Sequence, residues 1–215
     1  MCLGKDVSGS MDGQFTNLLY CHNEIMLPSL SQVKEKYAKT LRIGSFVFSD
    51  EIVPVWNGFK SINSALRYPL SMSTIKKTGN KRTALYRTMI KCLGQSANAA
   101  NQANKSGDPS VPAKIKICIL TDGANNLDPH DENTVKQITS QIQDKNQVQL
   151  VLAYFKTDDG LSIDQFNAMA KATGFDHKTY YFDITEGKNV DERARNFRRF
   201  FGILSDSLSR DIASM

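Results

Sequence analysis

One short segment near the start of the chain, Asp6-Val7-Ser8-Gly9-Ser10, carries side chains that could bind a metal ion. It places one carboxylate and two hydroxyls at alternating positions, and Gly9 allows the backbone to turn sharply. Such oxygen ligands suit Mg²⁺, Mn²⁺ or Ca²⁺ and not a soft metal. Because one Asp and two neutral hydroxyls cannot complete an octahedral shell, we expect further ligands from elsewhere in the chain. A position left open on the metal would serve either catalysis or the docking of another protein's carboxylate.

A second carboxylate follows a strongly apolar run. Residues 115–120 predict a buried strand, and Thr121-Asp122-Gly123 comes directly after it. The segment 6–10 likewise follows a short run at residues 1–5. In parallel sheets, ligands bind at the carboxyl ends of the strands. The two carboxylates are therefore predicted to meet at one edge of a sheet.

The elements that must position these residues alternate along the chain. Predicted strands lie at 41–48, 115–120, 148–155 and 179–182, and predicted helices at 14–38, 83–104, 132–145, 162–173 and 189–209. This alternation predicts an α/β fold with a doubly wound, mostly parallel central sheet flanked by helices on both faces. We expect residues 1–215 to form a single domain, with a turn-rich connector at 104–112.

Local signals refine two of the helices. Pro28 lies deep in the first pattern and predicts a kink or break there. Ser162 predicts the N-cap of the fourth helix, and Gly174 lies just past its C-terminus.

Composition narrows the class of protein. The chain has 215 residues, 40% of them hydrophobic, which is enough to bury a core. Its net charge of +5 is spread out, with small concentrations at 76–82 and 193–199, and this favours solvated faces over a nucleic-acid surface. The four cysteines show no CxxC spacing and predict buried, reduced thiols. No apolar run approaches the ~18 residues of a membrane span, and no signal peptide is recognised, so we expect a cytoplasmic protein.

Together these motifs resemble the von Willebrand factor A domain over essentially the whole chain. In that family an Asp-x-Ser-x-Ser motif, a threonine that opens a helix and an aspartate after a buried strand form the metal-ion-dependent adhesion site. The resemblance therefore implies a metal site whose ligands are Asp6, Ser8, Ser10, Thr83 and Asp122.

Some of these assignments have alternatives. Thr83 is preferred for the threonine because a small residue and Leu follow it, and Thr78 and Thr88 are less favoured. Asp6 could instead cap the helix that follows it, and Ser8 and Ser10 could be turn residues.

Two features depart from the family pattern. Gly4 and Lys5 replace the usual aliphatic residues, which predicts a short and poorly hydrophobic first strand. Asn80, Lys81 and Arg82 replace loop glycines, and these cations should either attract an acidic ligand or weaken metal affinity.

The tail resembles intracellular bacterial A-domain proteins of the tellurite-resistance type. This resemblance rests on Asp183-Ile184-Thr185 and on the aromatic residues and serine within 197–205. The favoured interpretation of the second segment is simpler, since Phe197, Phe200, Phe201 and Leu204 have the spacing of a core face.

The family resemblance implies a divalent-metal-dependent protein-binding module and not an enzyme. Its cofactor would be Mg²⁺, or Mn²⁺ or Ca²⁺, and its partner a protein that supplies an Asp or Glu to the metal. A Mg²⁺-dependent phosphoryl hydrolase is the alternative, because an open hard-metal site can polarise a phosphoryl oxygen. A nucleic-acid-associated module ranks third, and no membrane partner is expected.

Several further residues are weaker candidates around this site. Asp50 is predicted to lie near the rim formed by the carboxyl ends of the strands. Asp12 could lie behind the metal ligands, and residues 158–160 predict a turn. Residues that could shape the partner surface are Asn125, Asn126 and Asp128.

Overall fold

The computed structural model describes residues 1–32, 40–79, 82–106, 112–123, 127, 131–142, 147–156, 161–183 and 189–214. Within these ranges, seven strands form one sheet. They are β1 (Cys2–Asp6), β2 (Arg42–Phe48), β3 (Ile52–Pro54), β4 (Lys60–Ser61), β5 (Ile115–Thr121), β6 (Val148–Lys156) and β7 (Lys178–Asp183).

The strand order brings the candidate ligands to one edge. The order is β3-β2-β1-β5-β6-β7, with β4 paired to the start of β2. Strands β2, β1, β5, β6 and β7 run parallel, and β3 returns antiparallel along β2. Asp6 pairs with Phe48 and Lys5 with Leu120, so β1, β2 and β5 end side by side.

Helical segments alternate with these strands. The first stretch is a 3-10 helix (Gly9–Gln14), α1 (Phe15–Tyr20), a π-helical turn (Cys21–Met26) and α2 (Leu27–Ser31). The later helices are α3 (Ile62–Arg67), α4 (Met72–Lys76), α5 (Leu85–Ser106), α6 (Asp131–Ser140), α7 (Ile163–Thr173) and α8 (Val190–Ser214). None of the helices described is both long enough and apolar enough to cross a membrane.

Two hydrophobic cores lie on the two faces of the sheet. One contains buried residues of α1 to α4 and α8, and the other contains those of α5, α6 and α7. Alternating strand residues enter them, so Leu3 faces the first core and Cys2 the second. The predicted doubly wound α/β architecture is confirmed.

The smaller predictions have definite outcomes. The chain stays helical through Pro28, where a kink or break was expected: the π-helical turn ends at Met26, and Pro28 occupies the first turn of α2, where its missing N–H costs little. Helix α7 has a Ser162 capping box and ends at Gly174, which has φ +70°. The four cysteines are buried free thiols, and the aromatic residues 197, 200 and 201 are core residues.

Strand β1 is short, as predicted, yet it lies at the centre of the sheet with all five residues buried. A Cβ at Gly4 would lie 2.7 Å from Ile119 Cδ1 and 3.1 Å from Thr88 Cγ2. Glycine therefore lets α5 pack closely against β1. Lys5 is fully buried, its Nζ donates to Ser45 Oγ, and burial lowers its pKa to about 7.

We predict that Gly4→Val lowers the free energy of unfolding by about 1–3 kcal/mol, because overpacking forces side chains or backbone to shift. Urea denaturation measures this change. Gly94→Ala is the matched control, since no atom lies within 4 Å of the added Cβ on α5, and it should stabilise by about 0.5–1 kcal/mol. A Gly4→Val protein as stable as wild type would show that the packing against β1 is loose.

Candidate metal centre

Two carboxylates from neighbouring strands lie at the carboxyl edge of the sheet. Asp6 ends β1 and Asp122 follows β5, and they are 2% and 1% exposed. Ser8 Oγ lies 3.3 Å from Asp122 Oδ1 and 3.3 Å from Ser10 Oγ. Ser10 is exposed, so the cluster reaches the surface. The structure thus brings together four of the five ligands expected from the sequence.

Both oxygens of the Asp6 carboxylate accept hydrogen bonds. The backbone N–H of Ser8 donates to Oδ1 at 2.9 Å, and the Thr121 hydroxyl donates to Oδ2 at 2.7 Å. The first bond is the kind that a helix cap makes, so Asp6 shapes the turn as well as lining the site. Sequence reasoning gave Thr121 no role of its own. Its only signal was a hydroxyl at the last position of an apolar strand.

The loop that carries Thr83 is fastened to the end of β2. Ser49 Oγ donates to the carbonyl of Arg82 at 2.8 Å, and the N–H of Ala84 donates to the carbonyl of Ser49 at 3.0 Å. Thr83 lies between these two bonds and is 4% exposed. Because Phe48 pairs with Asp6, Ser49 fixes Thr83 at the edge where β1 ends. Ser49 is a second positioning residue that sequence reasoning missed.

The hydroxyls of the other two candidate threonines, Thr78 and Thr88, donate to nearby backbone carbonyls. The Thr78 hydroxyl donates to the Ile75 carbonyl at 2.8 Å. The Thr88 hydroxyl donates to the Ala84 carbonyl, one helical turn earlier, also at 2.8 Å. Both side chains are fully buried. The geometry favours Thr83 as the threonine of the site.

Electrostatics at this edge are unfavourable for two anions. Burial, followed by the neighbouring Asp122 carboxylate, raises the pKa of Asp6 from 3.8 to about 8. Burial also raises the pKa of Asp122, and its Oδ2 has no hydrogen-bond partner among the described residues. A cation would relieve the repulsion and occupy that oxygen. Carboxylate and hydroxyl oxygens fit a hard divalent ion of the Mg²⁺ type.

The described residues contain no cluster of three or more His, Cys, Asp or Glu side chains suited to a metal. The set at this edge is instead two carboxylates with hydroxyls. Such a set carries few formal charges and would leave the bound ion able to attract another anion.

The weaker candidates have mixed outcomes. Asp50 is half-buried after β2, and a Cβ at Gly79, which has φ +74°, would lie 2.6 Å from its Oδ2. Asp50 therefore borders the loop before Thr83, near the rim as predicted. The candidates outside the described residues are the Asp12 side chain, Asn80, Lys81, Asn125, Asn126, Asp128 and 158–160.

Comparison with known proteins supports the fold. No protein-family model matches the chain, and no curated protein is similar enough in sequence to match it. Solved structures are similar. The PilB minor pilin of Streptococcus sanguinis has a TM-score of 0.55 at 12% identity, over 98% of this chain and 61% of that one. The pilus adhesin SpaC of Lactobacillus rhamnosus GG, in its open conformation, has 0.63 at 10%, over 98% and 30%.

A third neighbour is the manganese-loaded TRAP protein of Plasmodium vivax, with a TM-score of 0.51 at 15% identity, over 93% of this chain and 72% of that one. At these identities the likeness establishes the fold alone, and that fold is von Willebrand factor A-like. The chain spans about three fifths of the pilin and less than a third of the adhesin.

We predict that Asp6→Asn stabilises the metal-free protein at alkaline pH. The folded pKa of Asp6, about 8, lies above its ordinary value of 3.8, so its contribution to stability is full below pH 3.8 and is lost as pH rises towards 8. Asparagine cannot ionise. In EDTA at pH 8.5 the variant should be about 1–3 kcal/mol more stable than wild type, after discounting the formal ~1.4 kcal/mol per pKa unit for relaxation.

Thermal unfolding at pH 5 and pH 8.5 measures this effect. The gain should shrink at pH 5, where wild-type Asp6 is protonated in the folded state. Asp206→Asn, at an exposed position on α8, is the control and should change little at either pH. A variant less stable than wild type at pH 8.5 would contradict the repulsion.

Proposed function

We propose that this protein is a divalent-metal-dependent protein-binding module that docks an Asp or Glu of a partner protein onto a Mg²⁺-type ion. The observation that carries the proposal is the buried pair Asp6 and Asp122, with raised pKa values and one carboxylate oxygen without a hydrogen bond. In folded proteins, two buried carboxylates this close together usually have a compensating interaction.

The residues that would hold the ion come from the ends of β1 and β5 and from the loop before α5. Ser8, Ser10 and Thr83 would offer neutral hydroxyl oxygens, and Asp6 and Asp122 would bind directly or through water. When bound, the ion supplies a positive centre that a partner's carboxylate can complete. Ser8 N–H and Thr121 hold the Asp6 carboxylate in place by hydrogen bonds, as supporting residues commonly do around metals.

Two of the structural neighbours agree with this proposal through their own descriptions. The TRAP protein was solved loaded with manganese, and SpaC is a pilus adhesin. Their fold is shared with this chain, and the proposal extends metal use and adhesion to it. Mn²⁺ and Ca²⁺ remain alternatives to Mg²⁺ as the resident ion.

Finer parts of the sequence interpretation stay predictions. They are the tellurite-resistance type, the cytoplasmic location and the absence of catalysis. The aromatic residues of α8 that motivated the first are explained by core packing: Phe155 contacts Phe197, Phe200 and Phe201 with ring centroids 5.0–5.8 Å apart.

Titration calorimetry with Mg²⁺ and Mn²⁺ tests the metal site. Wild type should bind one ion, and Asp122→Ala should abolish the heat while its thermal unfolding stays cooperative, because the removed group is an uncompensated anion. If Asp122→Ala binds the ions as wild type does, the site is misassigned.

Thr83→Val should weaken metal affinity by about tenfold, equivalent to ~1.4 kcal/mol, because water can replace one neutral ligand. Thr88→Val is the matched control, since the Thr88 hydroxyl bonds its own helix, and it should leave the affinity unchanged. If the same calorimetry shows a larger loss of metal affinity in Thr88→Val than in Thr83→Val, Thr83 is the wrong choice of threonine.

Incubation with p-nitrophenyl phosphate and Mg²⁺ separates the module from the hydrolase alternative. We expect no turnover. Turnover that disappears in Asp122→Ala would support the hydrolase and contradict the proposal.

A further inference from the structure

A cleft opens beside the candidate metal centre, between the chain after β2 and helix α5. Its volume is about 310 Å³, and it is lined by Glu51, Ile52, Arg87, Ile90 and Lys91. Strand β3, to which Ile52 belongs, is an edge strand of the sheet. The cleft has apolar walls formed by two isoleucines and charged groups on both sides. None of the proposed metal ligands lines it.

Helix α5 connects this cleft to the candidate metal centre. Arg87 and Lys91 are spaced by four residues and so lie on one face of α5, and Thr83 precedes the first residue of that helix by two positions. The helical bonding extends back to Ala84, whose carbonyl accepts the N–H of Thr88 at 3.0 Å. At 1.5 Å per residue from Ala84, and with at most ~3.8 Å more to Thr83, Arg87 lies about 5–8 Å and Lys91 about 10–14 Å from Thr83.

Positive charge predominates around the cleft. Arg87 is exposed, and Lys91 Nζ lies 3.3 Å from the Ile52 carbonyl and 5.5 Å from the centroid of the Phe46 ring. An ammonium has three donors, so Lys91 can keep the bond to Ile52 and also bind a carboxylate.

Two cations and one acid line the cleft. Glu51 N–H donates to the Thr78 carbonyl at 2.9 Å, which places the chain after α4 beside Glu51. The charged residues of this basic rim are Arg87 and Lys91, against Glu51. Two cations face one acid, so the rim is complementary to an acidic ligand.

We infer that this cleft is a second subsite for an acidic partner segment whose first carboxylate binds the metal centre. The inference rests on the proposed function and names the partner's chemistry. An extended chain advances about 3.3 Å per residue, so ~12 Å corresponds to three or four residues. The partner segment therefore carries a second Asp or Glu three or four residues from the first. Aliphatic side chains between them contact Ile52 and Ile90.

Two fluorescein-labelled peptides test this inference by anisotropy in 2 mM Mg²⁺. Both consist of alanines, one with a single Asp and the other with two Asp residues four positions apart. The two-Asp peptide should bind about two- to fivefold more tightly, as expected for one added exposed ion pair. Arg87→Ala and Lys91→Ala should remove this advantage and leave the single-Asp peptide unaffected.

Removal of the acid that lines the cleft should have the opposite effect and provides an internal check. Glu51→Gln removes an acid from the cleft and should increase affinity for the two-Asp peptide. Arg195→Ala, at an exposed position on α8, is the matched control for loss of a surface cation and should change nothing. Unchanged Mg²⁺ heats in all four variants would show that they fold and keep the metal site.

The outcomes separate the two proposals. Equal affinity for both peptides, with EDTA abolishing both, would overturn the subsite and leave the proposed function standing. If the protein binds Mg²⁺ but neither peptide, carboxylate docking itself is contradicted. A labelled single-stranded oligonucleotide forms a third arm: binding that survives EDTA and is lost in Arg87→Ala and Lys91→Ala would assign the rim to nucleic acid instead.

Discussion

Repulsion between two buried carboxylates is the constraint on which the rest of this structure depends. Asp6 ends β1, Asp122 directly follows the adjacent parallel strand β5, and both lie within one small cluster of hydroxyls. Keeping them buried and close costs stability in the absence of a cation. The fold tolerates this cost because β1 is hydrogen-bonded on both sides and packed between two cores. Sites of this kind commonly retain function at the expense of stability.

Much of this fold could be predicted because its strands are covered on both faces. The runs at 115–120 and 148–155 are almost continuously apolar and match β5 and β6 closely. The central strand β1 was harder to evaluate, since its signal lies in tertiary packing. Gly4 makes room for α5, and Lys5 reaches Ser45 on the neighbouring strand. Neither requirement is visible in a hydrophobic pattern.

The sequence predicted the candidate metal ligands but not the residues that position them. Motif spacing located the carboxylates and serines, because strand ends meet at one edge. The choice among three threonines depended on tertiary contacts, since Ser49 fastens the loop that carries Thr83 to the end of β2. Ser49 acts through two hydrogen bonds and Thr121 through one to segments distant in the chain, and a sequence contains no local sign of those. The sequence drew attention to the charge run 76–82, whereas Arg87 and Lys91 line the cleft through their four-residue spacing on α5.

Paramagnetic broadening by Mn²⁺ tests the central claim most directly. In ¹H–¹⁵N spectra of the labelled protein, substoichiometric Mn²⁺ should broaden signals of residues 6–10, 49, 83–84 and 121–123 first, and excess Mg²⁺ should restore them. This result would place one hard divalent ion at the shared end of β1, β2 and β5. Broadening centred on another acidic surface, with those signals unchanged, would contradict a metal centre built on Asp6 and Asp122.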